Sequence, residues 1–181
     1  MVRKEQRQIL DESRLLSATQ FLRDYFGEIP VTSIILGSGL AAFADTLTDA
    51  KSIPTRQIPH YPVSTVEGHP GRWVVGKCHA IPVLALQGRI HGYEGYSQDQ
   101  IGFPIHLLAE LGVRHLIVTN AAGGINRFYV PGQFMVIVDH INLTFDNPLW
   151  GRNLHKYGPR FPDMYSAYDP EFIEIAMEEG R

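Results

Sequence analysis

An α/β fold is what three features of this sequence predict. Short apolar runs rich in branched residues recur at Val31 to Leu36, Ile81 to Leu86 and His115 to Thr119, as expected of buried strands. Each run ends in a loop of glycine and small polar residues, and in open α/β sheets ligands gather at the carboxyl ends of the strands. Stretches with apolar residues at helical spacing lie before and between them. With 181 residues, 44% of them hydrophobic and 19% charged, a single α/β domain over residues 1–181 is the expectation.

The elements follow in order. From Ile9 to Phe26, the residues Ile9, Leu10, Leu15, Leu16, Phe21, Leu22 and Phe26 recur at roughly helical spacing among charged residues, which predicts an amphipathic opening helix. Gly27 to Pro30 ends it, and Val31 to Leu36 forms a first strand that leads into Gly37-Ser38-Gly39. A glycine-flanked serine before a helix-compatible segment, Leu40 to Leu47, can direct backbone N–H groups and a hydroxyl at an anion, helped by the helix N-terminus. The same glycines and Ala42 also satisfy a relaxed dinucleotide fingerprint. That reading is set aside because the strand expected near Lys51 to Ile58 ends in Gln57, Ile58 and Pro59, where an acid is needed for a ribose hydroxyl.

The loop from Val63 to Gly71 carries His69, whose default as a lone loop histidine is solvation. An alternating strand, Arg72 to Cys78, and the apolar strand Ile81 to Leu86 come next. Ser97 to Leu111 predicts a helix with Ile101, Ile105, Leu108 and Leu111 on one face, despite Gly102 and Pro104. The strand from His115 runs into Asn120-Ala121-Ala122-Gly123-Gly124, whose small side chains let backbone amides approach a ligand. Phe134 to Val138 predicts a further strand, and Pro170 onward a helix with Phe172, Ile173, Ala176 and Met177 on one face.

The densest cluster of chemistry is Gln87 to Tyr96, where Arg89, His91, Tyr93, Glu94 and Tyr96 stand among three glycines directly behind a strand. Arg89 offers a planar fork of donors for two oxygens of an anion, and His91 lies on the same side if the backbone is extended. Glu94 repels an anion, so its sensible role is to orient Arg89. An ordinary surface Arg–Glu pair, worth about 0 to 1 kcal/mol, is the plain alternative. Two tyrosines and three glycines in ten residues favour a site.

Composition excludes several classes. The net charge is −3 and no basic run exceeds Arg3-Lys4, so neither nucleic acid nor membrane is an expected partner. One cysteine, Cys78, precludes an intrachain disulfide, and the absence of a leader-like or long apolar stretch predicts a cytoplasmic protein. The eight histidines lack zinc-type spacing, so no metal is expected. Ser38 lacks the Gly-x-Ser-x-Gly elbow of serine hydrolases.

Three strand ends thus present groups suited to one small anion. In this order the motifs resemble the trimeric purine nucleoside phosphorylases, from Ile34 to Asp169. They are Leu-Gly-Ser-Gly-Leu40, Ser64-Thr-Val-x-Gly-His69-x-Gly71, Gly88-Arg-x-His-x-Tyr-Glu-Gly-Tyr96, Thr119-Asn-Ala-Ala-Gly-Gly-x-Asn126, Asp139-His-Ile-Asn142, Asn147-Pro-Leu149, Gly158-Pro-Arg-Phe-Pro162 and Ala167-Tyr-Asp169. The resemblance implies a nucleoside phosphorylase-like fold, a mixed central sheet flanked by helices. It implies a phosphate site of Ser38, His69, Arg89, His91 and the Ala121 backbone N–H, with Arg89 and His91 catalytic. Tyr93 and Phe161 are implied to contact the nucleoside, Phe161 from a neighbouring subunit of a homotrimer, and Glu94 and Asn120 to orient. Glu67, Arg152 and Tyr165 depart from the family's usual residues and bear on the sugar pocket.

The implied reaction is reversible phosphorolysis of purine nucleosides in purine salvage, with inorganic phosphate as co-substrate and no cofactor. Family members continue well past the last helix expected here, and that portion carries the purine-recognising Glu and Asn. The resemblance therefore covers the family's N-terminal portion, as a fragment, a truncated product or a form that has lost the base half of its site. A non-catalytic phosphate- or nucleoside-binding remnant is the alternative to an enzyme.

Overall fold

The computed structural model describes residues 11–64 and 71–180. They divide into two compact units, one ending at Ala121 and the other beginning at Ala122. The first contains helix α1 (Glu12–Phe26), strands β1 (Thr32–Leu36), β2 (Thr48–Pro54), β3 (Arg72–Cys78) and β4 (Ile81–Gln87), helix α2 (Gln98–Leu111) and strand β5 (His115–Val118). The strands form one mixed sheet in the order β2-β3-β4-β1-β5. β1 is parallel to both β4 and β5, whereas β2 with β3 and β3 with β4 are antiparallel.

Helix α1 is stopped cleanly at both ends. The Asp11 carboxylate accepts from the Ser13 N–H at 2.9 Å, and Gly27 turns the chain away at a positive φ of 78°. Its buried residues are Leu15, Ala18, Thr19 and Leu22, one stripe of a 3.6-residue period. Leu16, expected on that stripe, is exposed, while Ile9 and Leu10 lie outside the described residues. Helix α2 opens on a capping box between Ser97 and Gln100 and closes at Gly112. Leu108 and Leu111 are buried as predicted, together with Phe103, Pro104 and Leu107, whereas Ile105 is exposed and Ile101 half-buried. The Arg23 guanidinium of α1 donates to the Glu110 carbonyl of α2 at 2.8 Å, tying the two helices near their ends.

Two further expectations are corrected. The helix-compatible segment after Ser38 is a short 3₁₀ helix, Ala41–Thr46, so no α-helical dipole stands behind the serine loop. Phe134 to Val138, predicted as a strand, is irregular and largely exposed. A strand needs a hydrogen-bonding neighbour, and among the described residues this run has none. A dinucleotide fold is also ruled out by topology: β2 is at the sheet edge, not beside β1.

The core lies on the sheet. Trp73, Ile53, Leu84 and Leu86 are fully buried there with Leu15 and Leu22 of α1 and Leu107 of α2. Tyr61 meets both Trp73 and Phe103 edge-on, and the Trp73 Nε1–H donates to its hydroxyl at 3.3 Å. Burial pushes the Tyr61 phenol well above its ordinary pKa, so it stays neutral. In the second unit helix α3 (Pro170–Glu179) starts at Asp169, whose carboxylate accepts from the Glu171 N–H at 2.9 Å. None of its residues is buried within the chain. No helix among the described residues is long and apolar enough to cross a membrane.

Candidate anion-binding site

Because β4, β1 and β5 run parallel and side by side, their carboxyl ends share one sheet edge. From β1 the chain runs to β2 at the far edge of the sheet and returns inward through β3 to β4 beside β1, and α2 then carries it across to add β5 on the other side. The carboxyl ends of the strands are where ligands gather in open α/β sheets, and here they are the ends of β4, β1 and β5. Ser38, Arg89 with His91, and Asn120 with Ala121 sit on the three loops that leave them.

The loop after β1 is a tight turn, with the Leu40 N–H donating to the Gly37 carbonyl at 3.1 Å. Ser38 is exposed within it. Gly37 is required by packing, since a Cβ there would lie 2.5 Å from the Thr119 carbonyl oxygen. Its N–H is already committed to the Thr119 hydroxyl at 2.8 Å, so the donors this loop can offer an anion begin with Ser38.

The loop after β4 turns at Gly88, with φ of 78°. Ile90 is buried, which anchors the backbone between Arg89 and His91. Arg89 donates through Nη1 to the Thr119 carbonyl at 3.1 Å. That contact directs the guanidinium toward the end of β5 and corrects the expectation from charge alone that Glu94 would hold it. Glu94 instead serves His91: one carboxylate oxygen accepts from the His91 N–H at 2.8 Å and stands 3.1 Å from Nδ1. The other accepts from the Ser64 hydroxyl at 3.0 Å.

The Glu94 side chain is only 2% exposed and that of His91 35%. A carboxylate this buried must be compensated by donors, and the local turn supplies them. Holding Nδ1 on a carboxylate makes that nitrogen the donor, so Nε2 is the ring atom left to meet a ligand. Tyr93 stacks on the imidazole at 4.7 Å between ring centroids and is otherwise 78% exposed.

Asn120 and Ala121 are exposed at the end of β5, with the Asn120 Nδ2 donating to the Ala121 carbonyl at 3.3 Å. His69 lies outside the described residues. Phe161 belongs to the second unit, exposed on a loop that Arg160 braces by donating to the carbonyls of Leu149 and Gly151 at 3.0 and 2.6 Å. Two residues of the site, Ser64 and Thr119, stand in the sequence motifs but were given no role there. The signal for Thr119 was available: a hydroxyl closing an otherwise apolar strand, immediately before a loop of small residues.

The phosphorylase superfamily model matches residues 33–181. The chain belongs to that superfamily. It is 46% identical over 169 residues to purine nucleoside phosphorylase 1 of Geobacillus stearothermophilus, covering 93% of this chain and 62% of that relative. Among solved structures, isoform 2 of the Schistosoma mansoni purine nucleoside phosphorylase, in complex with cytosine and ribose-1-phosphate, superposes with a TM-score of 0.86 at 39% identity, over 94% of this chain and 61% of that one. The S. mansoni enzyme in complex with inosine superposes at 0.84 with 36% identity, over 94% and 62%. The chain thus spans about three fifths of the length of these relatives, and its mixed sheet belongs to their fold.

Proposed function

We propose that this edge binds inorganic phosphate and that the protein of which the chain is all or part phosphorolyses purine nucleosides. The observation that carries the reading is the Arg89 guanidinium, anchored on the Thr119 carbonyl at the carboxyl ends of the parallel strands β4, β1 and β5. An arginine so fixed presents donors to an anion without having to be ordered on binding. Ser38, His91 through Nε2, and the Ala121 N–H complete the cradle in this reading, with His69 joining by resemblance and Asn120 shaping the turn. Phosphate, co-substrate rather than cofactor, attacks the anomeric carbon. The glycosidic bond breaks, and its electron pair leaves with the purine, which then takes a proton. Positive charge grows on the sugar in that transition state, so a phosphate held beside it stabilises the reaction by electrostatics.

The test is release of hypoxanthine from inosine, measured with and without phosphate. Phosphate-dependent release supports the reading. Binding of phosphate and nucleoside without release would instead favour a binding-only form, and no phosphate binding would defeat both. The relatives crystallised with inosine and with ribose-1-phosphate make inosine the first substrate to try.

Phe161, exposed on its braced loop, is proposed to cover the sugar of a neighbouring subunit in a homotrimer. Phe161→Ala should then raise the nucleoside KM about tenfold or more, the scale of one lost aromatic contact, and leave the phosphate KM within about twofold. Steady-state kinetics in each substrate checks this. An effect confined to phosphate would contradict it.

A further inference from the structure

We propose that Thr119 is the positioning residue of the phosphate site, a latch that fixes the three anion-facing loops relative to one another before any ligand arrives. The inference rests on the anion-site reading above. Its starting point is the hydrogen bonding of one side chain. The Thr119 hydroxyl is 2.8 Å from the Gly37 nitrogen and 2.9 Å from the Ile35 carbonyl oxygen. An amide N–H can only donate and a carbonyl can only accept, so the hydroxyl accepts from Gly37 and donates to Ile35. The Thr119 N–H reaches the same Ile35 carbonyl at 3.0 Å, so both lone pairs of that oxygen are used.

The Thr119 main chain faces the third loop, because its carbonyl takes the Arg89 Nη1 donor at 3.1 Å. One residue therefore holds the serine loop by its hydroxyl, the arginine by its carbonyl, and Asn120-Ala121 by peptide continuity. Gly37 allows this closeness, since a Cβ there would stand 2.5 Å from the Thr119 oxygen and 2.7 Å from the Asn120 Cα.

A plain packing role does not account for the choice of threonine. Valine has the same shape and suits a strand end beside Ile117 and Val118 at least as well. What threonine adds is the two-sided hydroxyl, and both sides are spent on the backbone that leads into Ser38. Donors must stand in place before phosphate binds if they are to favour the transition state rather than be ordered at its cost.

The experiment uses the chain as it stands and inorganic phosphate as probe. Calorimetric titration compares wild type with Thr119→Val and Thr119→Ser, and hydrogen exchange reads the Gly37 amide against the buried Leu84 amide as the control for global stability. The Val variant should bind phosphate about tenfold more weakly and exchange Gly37 about tenfold faster relative to Leu84, the scale of one hydrogen bond. The Ser variant, which keeps the hydroxyl, should stay within about threefold of wild type in both.

A Ser variant as weak as the Val variant overturns the latch, as does a Val variant that binds like wild type. Should Thr119→Val not fold, exchange in the wild-type chain decides: a Gly37 amide with no protection beyond an exposed loop overturns the proposal. If the wild-type chain takes up no phosphate, the anion-site reading falls and this inference with it. Uptake by wild type with equal uptake by the Val variant sinks this inference alone.

Discussion

Arg89→Ala should lower phosphate affinity by roughly ten- to 150-fold, since a hydrogen bond to a charged group contributes about 1.5 to 3 kcal/mol. Two losses combine. The anion loses a guanidinium that the structure aims at the end of β5, and the Thr119 carbonyl loses the Nη1 donor it accepts at 3.1 Å. Arg89→Lys should recover only part of the loss, because an ammonium on a flexible stem cannot hold that carbonyl and offer a planar fork to phosphate together. Titration with inorganic phosphate measures the binding effect. In the inosine assay the same variant should raise the phosphate KM far more than the nucleoside KM. An Arg89→Ala chain that binds phosphate as well as wild type would remove the anion-site assignment.

Four of the five strands of the sheet were legible as short apolar or alternating runs, whereas β2, expected near Lys51 to Ile58, runs from Thr48 to Pro54. Thr32–Leu36, Arg72–Cys78, Ile81–Gln87 and His115–Val118 fall within a residue of where those runs place them. The end of α2 was legible too, since Gly112 takes a left-handed conformation with φ of 91° that only glycine adopts freely. Which residues of a helix turn inward was legible only in part, since Leu15, Leu22, Leu108 and Leu111 are buried as expected and Leu16 and Ile105 are not. Both candidate faces of α2 are apolar, and the choice between Ile105 and Phe103 with Leu107 depends on the sheet it meets. Phe134 to Val138 has a strand's composition but no partner among the described residues, and pairing is a property of two segments.

The same distinction explains the site. Arg89, His91 and Ser38 stood out because glycine and strand ends mark them locally. The bond from Ser64 to Glu94 joins residues 30 apart, and the bond from Gly37 to Thr119 joins residues 82 apart. Nothing local in the sequence announces such pairs. The charge argument that gave Glu94 to Arg89 failed at this point: a backbone turn places the carboxylate on the His91 N–H three residues back, and short-range geometry settled what sign alone could not.

Trp73→Ala should cost about 3 to 5 kcal/mol of stability, the usual range for deleting a large buried aromatic. Trp73 is 0% exposed, and its indole N–H occupies the Tyr61 hydroxyl, which is itself buried. The deletion therefore opens a cavity and strips a buried hydroxyl of a partner at once. In urea, with a slope of about 1 to 3 kcal/mol per molar, the midpoint should fall by about 1 M or more. The chain's two tryptophans supply the control: Trp150, half-exposed in the second unit, should change stability by no more than about 0.5 kcal/mol when replaced by Phe, leaving Trp73 as the fluorescent reporter. The cost should also reach the site. Trp73 is paired in register with Leu86 on β4, three residues before Arg89, so loosening the β3–β4 pair should weaken phosphate binding in the molecules that remain folded. A Trp73→Ala chain that loses less than about 1 kcal/mol would mean that the sheet draws its stability from elsewhere than the Trp73–Tyr61–Phe103 cluster, and that the strand leading into the Arg89 loop is not held from this side.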